Sequence, residues 1–157
     1  MDRAELEPLI TAALTQLYEQ EQDIIRQDAN ERTICSSLAW IMRPQFPKHR
    51  VHAEYNRRGE GVEPKELEWP DNDGNPTHKT VFPDIIVHHP GHDRENLLVI
   101  EVKKTTNGNG DEGDLAKLDK LCWQLRYRHG LFLRLPAGKG AAFDGITMQW
   151  IEGPPPD

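Results

Sequence analysis

Three charged residues, Asp84, Glu101 and Lys103, lie at the ends of two strongly apolar segments and have side chains suited to metal-assisted phosphodiester hydrolysis. Two carboxylates held close together repel each other unless a cation lies between them. Mg²⁺ binds through one or two carboxylates, and water and phosphate oxygens complete its coordination. A neighbouring ammonium group can orient a water molecule and offset the charge that develops at phosphorus. These residue types therefore favour metal-dependent hydrolysis, provided that the fold brings them together.

The segments that carry these residues, 80–88 and 96–103, are rich in apolar and β-branched side chains and are predicted to pair as an antiparallel hairpin. The intervening residues 90–93 (Pro-Gly-His-Asp) are typical of a turn. With the turn centred between positions 92 and 93, residues whose numbers sum to 185 lie opposite each other. One face of the hairpin then carries only apolar side chains, those of Pro83, Ile85, Val87, Leu98, Ile100 and Val102.

The other face of the predicted hairpin is apolar near the turn and charged at its far end. Near the turn, Ile86 lies opposite Val99. At the far end Asp84 lies opposite Glu101, and Lys103 follows on the same face. Side chains opposite each other in such a pair have β-carbons about 4.5–5.5 Å apart. The register therefore predicts a cluster of two carboxylates and an ammonium group at the end of two buried strands.

The sequence around this cluster resembles the signature of a known superfamily. Pro83-Asp84, followed after sixteen residues by Glu101-Val102-Lys103, resembles the motif of the PD-(D/E)xK nucleases, which include restriction endonucleases and repair nucleases. Segments 52–57, 82–88 and 97–104 look like those of a group of small bacterial and phage proteins in that superfamily. The resemblance implies a restriction-endonuclease-like three-layer α/β fold, with a central mixed sheet of about four or five strands flanked by helices.

The resemblance also implies roles for individual residues and a cofactor, Mg²⁺ or Mn²⁺. The roles that carry over by position are those of the metal ligands Asp84 and Glu101 and of the catalytic lysine Lys103. Glu31, at the start of the helix before the first strand, matches a further acidic residue that many members place there. Glu21 and Glu54 are alternatives for that role. The expected activity is that of a metal-dependent endonuclease acting on DNA in preference to RNA.

Aromatic and basic residues near the cluster are candidates for contacts with nucleic acid. They are Tyr55, Arg57, Lys104 and Lys117. An aromatic ring can stack on a base, whereas lysine and arginine side chains bind phosphates. The formal net charge of −7 opposes unspecific binding to a polyanion, so we expect basic residues to be confined to the rim of the site. A homodimer or a protein partner is also compatible with the sequence.

The remaining segments predict the other elements of an α/β domain. Apolar residues at helical spacing predict helices over about 2–21, from Asn30 to Pro44, and over about 114–128, where Gly130 ends the last helix. Further strands are predicted at 49–56, 131–135 and 146–151. Residues 57–79 are rich in Gly, Pro, Asp and Asn and are predicted to form a long loop.

The resulting order of elements, α-α-β-β-β-α-β-β, predicts one domain over residues 1–152. Residues 153–157 contain three consecutive prolines and are predicted to be a disordered tail.

Composition limits the class of protein. Apolar residues make up 36% of the chain, and no stretch approaches the roughly eighteen consecutive apolar residues of a membrane span. The first residues lack the apolar core of a signal peptide. Cys35 and Cys122 lie far apart without the spacing of a metal site, so we expect buried, reduced thiols. These features predict a cytoplasmic protein without a membrane partner.

Two other functions are compatible with parts of the sequence. The acidic net charge favours a non-catalytic interaction module built on the same fold. Residues Gly108–Gly113 have the pattern G-x-G-x-x-G between a strand and a helix, as in dinucleotide-binding domains. Four residues separate this pattern from the strand, however, and Asp111 and Glu112 would repel a pyrophosphate. A nucleotide-binding domain is therefore the weaker alternative.

Overall fold

The computed structural model describes residues 1–58 and 63–156, which form helices and strands joined mostly by short loops. The helices are α1 (Arg3–Gln20), α2 (Gln22–Arg26), α3 (Glu31–Met42) and α4 (Glu112–Gln124). The strands are β1 (Arg50–Ala53), β2 (Glu66–Pro70), β3 (Pro76–Thr80), β4 (Ile85–His88), β5 (Leu98–Lys104), β6 (His129–Leu135) and β7 (Thr147–Glu152). Single turns of 3₁₀ helix follow α3 at Arg43–Gln45 and precede β7 at Phe143–Gly145.

Helices α1 and α3 begin at side chains that bind their free backbone N–H groups. The Asp2 carboxylate accepts a hydrogen bond from the Glu5 N–H over 3.0 Å, as part of a capping box at the start of α1. Asn30 caps α3 by accepting from the Thr33 N–H over 2.8 Å, and Pro44 lies in the turn that ends this helix. The two predicted N-terminal helices are confirmed, and the short helix α2 between them is an additional element.

A five-stranded mixed sheet forms the centre of the molecule. Its strand order is β1-β4-β5-β6-β7, and every neighbouring pair is antiparallel except β5 and β6. The parallel pair requires a crossover connection, which α4 provides on one face of the sheet. The α/β class and the mixed central sheet agree with the sequence prediction.

The register of the central hairpin is the predicted one. Ile85 pairs with Ile100, Ile86 with Val99 and Val87 with Leu98, so the residue numbers in each pair sum to 185. The regular pairing ends at Ile85 and Ile100, so Asp84 and Glu101 are the first residues beyond it. The charged residues therefore lie at the point where the two strands separate.

Each face of the sheet is buried against a different set of helices. Ile85, Val87 and Ile100 belong to a core that also contains the apolar side chains of α1 and α3. Ile86 and Val99 belong to a second core with the apolar side chains of α4. Burial on both faces explains why Ile85–Val87 of β4 and Leu98–Ile100 of β5 are uninterrupted apolar runs. The molecule consequently has three layers, with the sheet between α1 and α3 on one side and α4 on the other.

The predicted long loop over residues 57–79 is wrong for its second half, which forms the antiparallel hairpin β2–β3. Leu67 is fully buried in the core beside α4, and this burial holds the hairpin on the domain. Asp71 shapes the turn by accepting hydrogen bonds from the Asp73 and Asn75 N–H groups. The polar composition concealed two short strands that bury few side chains. Residues 59–62 of the predicted loop lie outside the described part.

The end of α4 also differs from the prediction. The helix stops at Gln124, and Gly130 lies inside β6 instead of ending the helix. A β-carbon on Gly130 would lie 2.8 Å from the Cys122 Sγ, so this position lets α4 pack closely against the sheet. Glycine here reflects the close approach of two elements, which a reading of local turn signals mistakes for a helix stop.

The two remaining predictions were a disordered tail over residues 153–157 and the lack of a membrane-spanning segment. Gly153 donates a hydrogen bond to the Arg128 carbonyl over 2.9 Å at the start of the predicted tail, whose last residue, Asp157, lies outside the described part. Among the described residues, no helix has both the length and the apolar character needed to cross a membrane.

Candidate active site

Asp84 directly precedes β4 and takes over the hydrogen bonding where the strand pair ends. Its Oδ2 accepts a hydrogen bond from the Val102 N–H of β5 over 2.8 Å, and its carbonyl accepts from the Glu54 N–H over 3.1 Å. The first bond fixes the carboxylate against the edge of β5. Burial raises the pKa of the Asp84 carboxyl group, and the Val102 N–H and the charge of Lys117 partly oppose that rise.

Glu101 is the carboxylate that the fold buries most deeply at this point, with 4% of its side chain exposed. Its Oε1 accepts a weak hydrogen bond from the Asp84 N–H over 3.4 Å, so the two acidic residues are in contact as predicted. Burial and then the nearby Asp84 charge raise the pKa of Glu101 to about 8. The Asp84–Glu101 pair is therefore a buried site at which like charges oppose each other.

Lys117 of α4 supplies the ammonium group closest to this pair. Its Nζ lies 2.9 Å from each carboxylate oxygen of Glu101 and donates to the Phe82 carbonyl over 3.1 Å. The side chain is 24% exposed, and the neighbouring Phe82 side chain is exposed as well. Lys117 thus reaches Glu101 from the solvent side of the site.

Lys103 lies on the same strand as Glu101 but directs its ammonium group elsewhere. Its Nζ is paired with the Asp114 carboxylate and donates to the Gly110 carbonyl over 2.6 Å, and the Asp111 Oδ1 is 3.8 Å away. Only 6% of the Lys103 side chain is exposed. Lys103 therefore contacts the start of α4 and the preceding loop.

Four of these residues form two crossed ion pairs between β5 and α4, which we call the charge quartet: Glu101, Lys103, Asp114 and Lys117. On β5 an acidic residue precedes a basic one by two positions, and on α4 an acidic residue precedes a basic one by three. Each acidic residue pairs with the basic residue of the other element. The quartet holds α4 against the face of the sheet that bears the candidate site.

Glu31, which matches the additional acidic residue of the motif, lies beside β5 and binds the backbone of that strand. Its Oε2 accepts from the Lys104 N–H over 2.9 Å and from the Asn107 Nδ2 over 3.4 Å. Glu31 therefore holds the end of β5, and none of its described hydrogen bonds is to the Asp84–Glu101 pair.

Of the two alternatives to Glu31, Glu21 directly follows α1, whereas Glu54 pairs with the Arg32 Nε over 3.1 Å. Asp84, Glu101, Glu31 and Glu54 all add to the effect of burial in raising the pKa of the Cys35 thiol. Glu31 and Glu54 thus both lie near the pair.

The residues predicted to contact nucleic acid are spread over the molecule. Lys117 lies in the site, whereas the Lys104 Nζ is paired with Asp28 Oδ1 over 2.9 Å. Tyr55 stacks on His52, with ring centroids 4.9 Å apart, and Arg57 is exposed in an isolated bridge to Pro64. The fold thus brings only one of the four predicted contacts to the carboxylates.

Asp84 and Glu101 are the described residues that fit a metal ion. Within the described ranges, no group of three or more His, Cys, Asp or Glu side chains is close enough to hold a metal ion. Two carboxylates are nevertheless sufficient for Mg²⁺ or Mn²⁺, since such ions keep several waters and bind substrate phosphates. Burial and the Asp84 charge raise the pKa of Glu101 although the Lys117 charge opposes the rise, so the chemistry of the pair is compatible with a further cation.

The glycine-containing loop joins β5 to α4, but its contacts are those of a loop that binds lysine. The Asn109 and Gly110 carbonyls lie 3.5 and 2.6 Å from the Lys103 Nζ. Asp111 pairs with the Arg134 Nη2 over 2.7 Å and precedes α4 without capping it through its side chain. Carbonyl oxygens and acidic side chains at this helix end are unfavourable neighbours for a pyrophosphate.

Comparisons with known proteins give no functional assignment. No family model matches the chain, and no curated protein matches it. A solved structure titled "Crystal structure of SSO0001" is similar at 16% sequence identity over 93% of this chain, with a TM-score of 0.44. This chain spans 65% of that chain. Neither a fold family nor a function follows from a likeness of this degree.

Sequence reasoning missed the pairing of Lys103 with Asp114 and of Lys117 with Glu101. The available signal was the spacing of Asp114 and Lys117, which are three positions apart and therefore share one face of α4. That signal acquires meaning only when the crossover places this face over β5.

Proposed function

We propose that the protein is a metal-dependent nuclease of the PD-(D/E)xK type, with a restriction-endonuclease-like fold, that hydrolyses phosphodiester bonds of DNA in preference to RNA. The observation that carries the proposal is the buried Asp84–Glu101 pair at the end of the central hairpin, where the pKa of Glu101 is raised to about 8. Two buried carboxyl groups face a single ammonium group here, that of Lys117, so a divalent cation would stabilise their ionised forms further. The three-layer arrangement around the mixed sheet supports the same proposal.

In this proposal Asp84 and Glu101 hold Mg²⁺ or Mn²⁺. A bound divalent cation supplies Lewis-acid activation of the phosphate and of a water nucleophile. The Val102 N–H fixes one oxygen of Asp84, so that carboxylate is already oriented before a ligand arrives. The sequence resemblance gives the ammonium role to Lys103 and a supporting role to Glu31. The two buried thiols are consistent with action in the cytoplasm, and a homodimer would place two sites on one duplex.

The test is cleavage of plasmid DNA, single-stranded DNA and RNA in Mg²⁺ or Mn²⁺, with the wild type beside Asp84→Asn and Glu101→Gln. These amides keep the shape of each side chain but remove the charge that binds a cation. We expect each variant to lose about 10³-fold or more in cleavage rate. Asp119→Asn, on the exposed face of α4, serves as the control and should cleave like the wild type. Wild-type protein that is folded but cleaves none of these substrates would contradict the proposal.

A non-catalytic interaction module is the second candidate, and one observation favours it. Lys103 and Lys117 are both paired with carboxylates, so the site is largely neutralised without a metal ion. This candidate predicts that Mn²⁺ does not stabilise the wild type against thermal unfolding. The nuclease proposal predicts a rise in Tm that disappears in Asp84→Asn, because a ligand bound only to the folded state raises its stability.

A further inference from the structure

The lysine that lies nearest the carboxylate pair is Lys117, whereas the lysine that the sequence motif indicates is Lys103. Lys103 follows Glu101 in the motif, yet its described polar contacts are with the Asp111–Asp114 region and the Gly110 loop. An ammonium group has three donors and no acceptor. The Asp114 carboxylate and the Gly110 carbonyl hold the Lys103 Nζ, and only 6% of the Lys103 side chain is exposed, so this ammonium group is closed off from a phosphate oxygen that arrives from solvent.

Lys117 has the contacts and the exposure that Lys103 lacks. Its Nζ touches both oxygens of Glu101 at 2.9 Å, and 24% of the side chain is open to solvent. Its third described partner is the Phe82 carbonyl, two residues before Asp84. The ammonium group of Lys117 therefore lies at the entrance to the carboxylate pair.

We propose that Lys117 of α4, and not Lys103 of β5, is the catalytic lysine that contacts the substrate phosphate, and that Lys103 is a positioning residue that holds α4. This inference rests on the proposed nuclease function. The inference assigns the catalytic ammonium group to α4, the crossover helix that packs over the Glu101-Val102-Lys103 segment of β5.

In this scheme Lys117 would occupy a different position when Asp84 and Glu101 hold a divalent cation. Because like charges repel, Lys117 would move away from Glu101 if a divalent cation bound to the same carboxylate. Its flexible four-carbon stem allows the ammonium group to turn toward the solvent side, where an incoming phosphate supplies negative oxygens. Lys103 has no such freedom, because its buried ammonium group is held by Asp114 and Gly110.

The ion pair between Lys117 and Glu101 has a simpler interpretation as a contact that only docks α4. In that case both pairs of the quartet serve the same purpose, and removal of either lysine leaves the cleavage rate of the folded protein unchanged. The two interpretations differ in the cleavage rate at saturating Mn²⁺, since loss of a docking contact does not alter that rate in a protein that stays folded.

The experiment compares Lys117→Met, Lys103→Met and the control Lys120→Met, which lies one turn further along α4 against Trp69. Methionine keeps an unbranched stem of similar size and removes the charge. Mn²⁺ affinity is measured by titration calorimetry, folding by Tm, and cleavage in single turnovers at saturating Mn²⁺ on the DNA that the wild type cuts. Lys103→Arg keeps a cation at that position and is measured in parallel, in case Lys103→Met does not fold.

We expect Lys117→Met to bind Mn²⁺ about tenfold more tightly, because the competing ammonium is gone. The same variant should cleave about 10²–10³-fold more slowly, because a donor to the phosphate is lost. Lys103→Met, or Lys103→Arg in its place, should lower Tm and keep the cleavage rate within about tenfold of the wild type below that Tm. Lys120→Met should match the wild type in all three measurements.

Two results would overturn the inference while leaving the proposed function intact. The first is wild-type-like cleavage by Lys117→Met, and the second is a loss of cleavage confined to the folded Lys103 variants. Unchanged Mn²⁺ affinity in Lys117→Met would also overturn it, because the ammonium would then not compete for the carboxylates. A wild type that cuts no substrate fails the proposed function itself, and the catalytic role of Lys117 fails with it.

Discussion

The two ends of β4 carry polar groups on the same face of the sheet but stabilise them in opposite ways. At the ionic end, which consists of Asp84 and the charge quartet, buried carboxylates are held against lysines. At the other end, His88 is 3% exposed and its Nε2 lies 2.9 Å from the Nδ1 of His52. One end therefore uses ion pairs and the other a hydrogen bond between two imidazoles.

The second cluster, which we call the imidazole end, consists of His52, Tyr55, Lys65 and His88. The Tyr55 ring stacks on His52, and the Lys65 Nζ lies 4.9 Å from the centre of the same Tyr55 ring. Burial lowers the pKa of His88 to about 3 and that of Lys65 to about 8. Burial at this end thus favours neutral side chains.

The contrast teaches where chemistry with charged substrates is to be sought. A cluster of neutral imidazoles satisfies itself through internal hydrogen bonds and needs no ion. Two carboxylates that oppose each other gain from a cation and so provide a binding energy that depends on a ligand. We therefore place the proposed reaction at the ionic end and assign the imidazole end to the packing of His52, Tyr55 and Lys65 beside His88 of the sheet.

Among substitutions that test the ionic end, removal of the Asp114 charge is expected to lower the free energy of unfolding most. Asp114→Asn leaves the Lys103 ammonium, which is almost fully buried, without its nearest negative partner. We expect the free energy of unfolding to fall by about 3 kcal/mol, as when one member of a buried pair is removed. Urea denaturation measures the change, and Asp119→Asn on the exposed side of α4 should cost less than about 0.5 kcal/mol. Equal effects of the two substitutions would show that the quartet does not hold α4.

Raising the pH sharpens the comparison at Glu101. Its pKa is raised from 4.5 to about 8, so the folded protein keeps a proton that the unfolded chain has already released. The stability from this group is complete below pH 4.5 and is lost as the pH rises through 8. Between pH 6 and 8 without divalent cations, we expect a loss of about 2 kcal/mol that is absent in Glu101→Gln. An identical loss in the variant would mean that Glu101 is not the group responsible.

Lowering the pH tests the imidazole end and has the smallest expected effect. The pKa of His88 is lowered from 6.5 to about 3, so the unfolded chain binds protons that the folded protein does not. Stability is complete above pH 6.5 and falls as the pH decreases toward 3. From pH 6 to 5 we expect a loss of about 1 kcal/mol, measured by urea denaturation. His88→Gln, which keeps a polar group beside His52, should show a shallower slope, and a slope equal to that of the wild type would contradict the assignment.

The sequence was sufficient to predict the elements that have a periodic apolar pattern or a clear turn or capping residue. The turn at 90–93 between the apolar runs of 80–88 and 96–103 predicted one register for the hairpin, and the structure has that register. The capping residue Asn30 and the apolar spacing of α1 and α3 were similarly informative. Strands β2 and β3 were missed because only Leu67 is deeply buried there, and so little of their pattern is apolar.

The site was predictable only in part, because some of its contacts depend on local strand register and others on how distant elements pack. Asp84 and Glu101 are brought together by the register of a hairpin, which is a local property of the chain. The partner of each lysine depends on where α4 crosses the sheet, which no local pattern contains. Glu31 likewise meets the end of β5 across 73 residues of sequence, and its carboxylate binds backbone there.

By itself, the sequence determined the α/β class, the central hairpin and the pairing of two carboxylates, because alternation and turn chemistry act over short separations. Only the tertiary structure decided that Lys117 contacts Glu101 and that Lys103 turns to Asp114. The crossover connection brings α4 onto the face of β5, where each charge of the quartet pairs with its opposite on the other element. The motif thus indicates where the carboxylates lie, and the packing of one helix decides which lysine serves them.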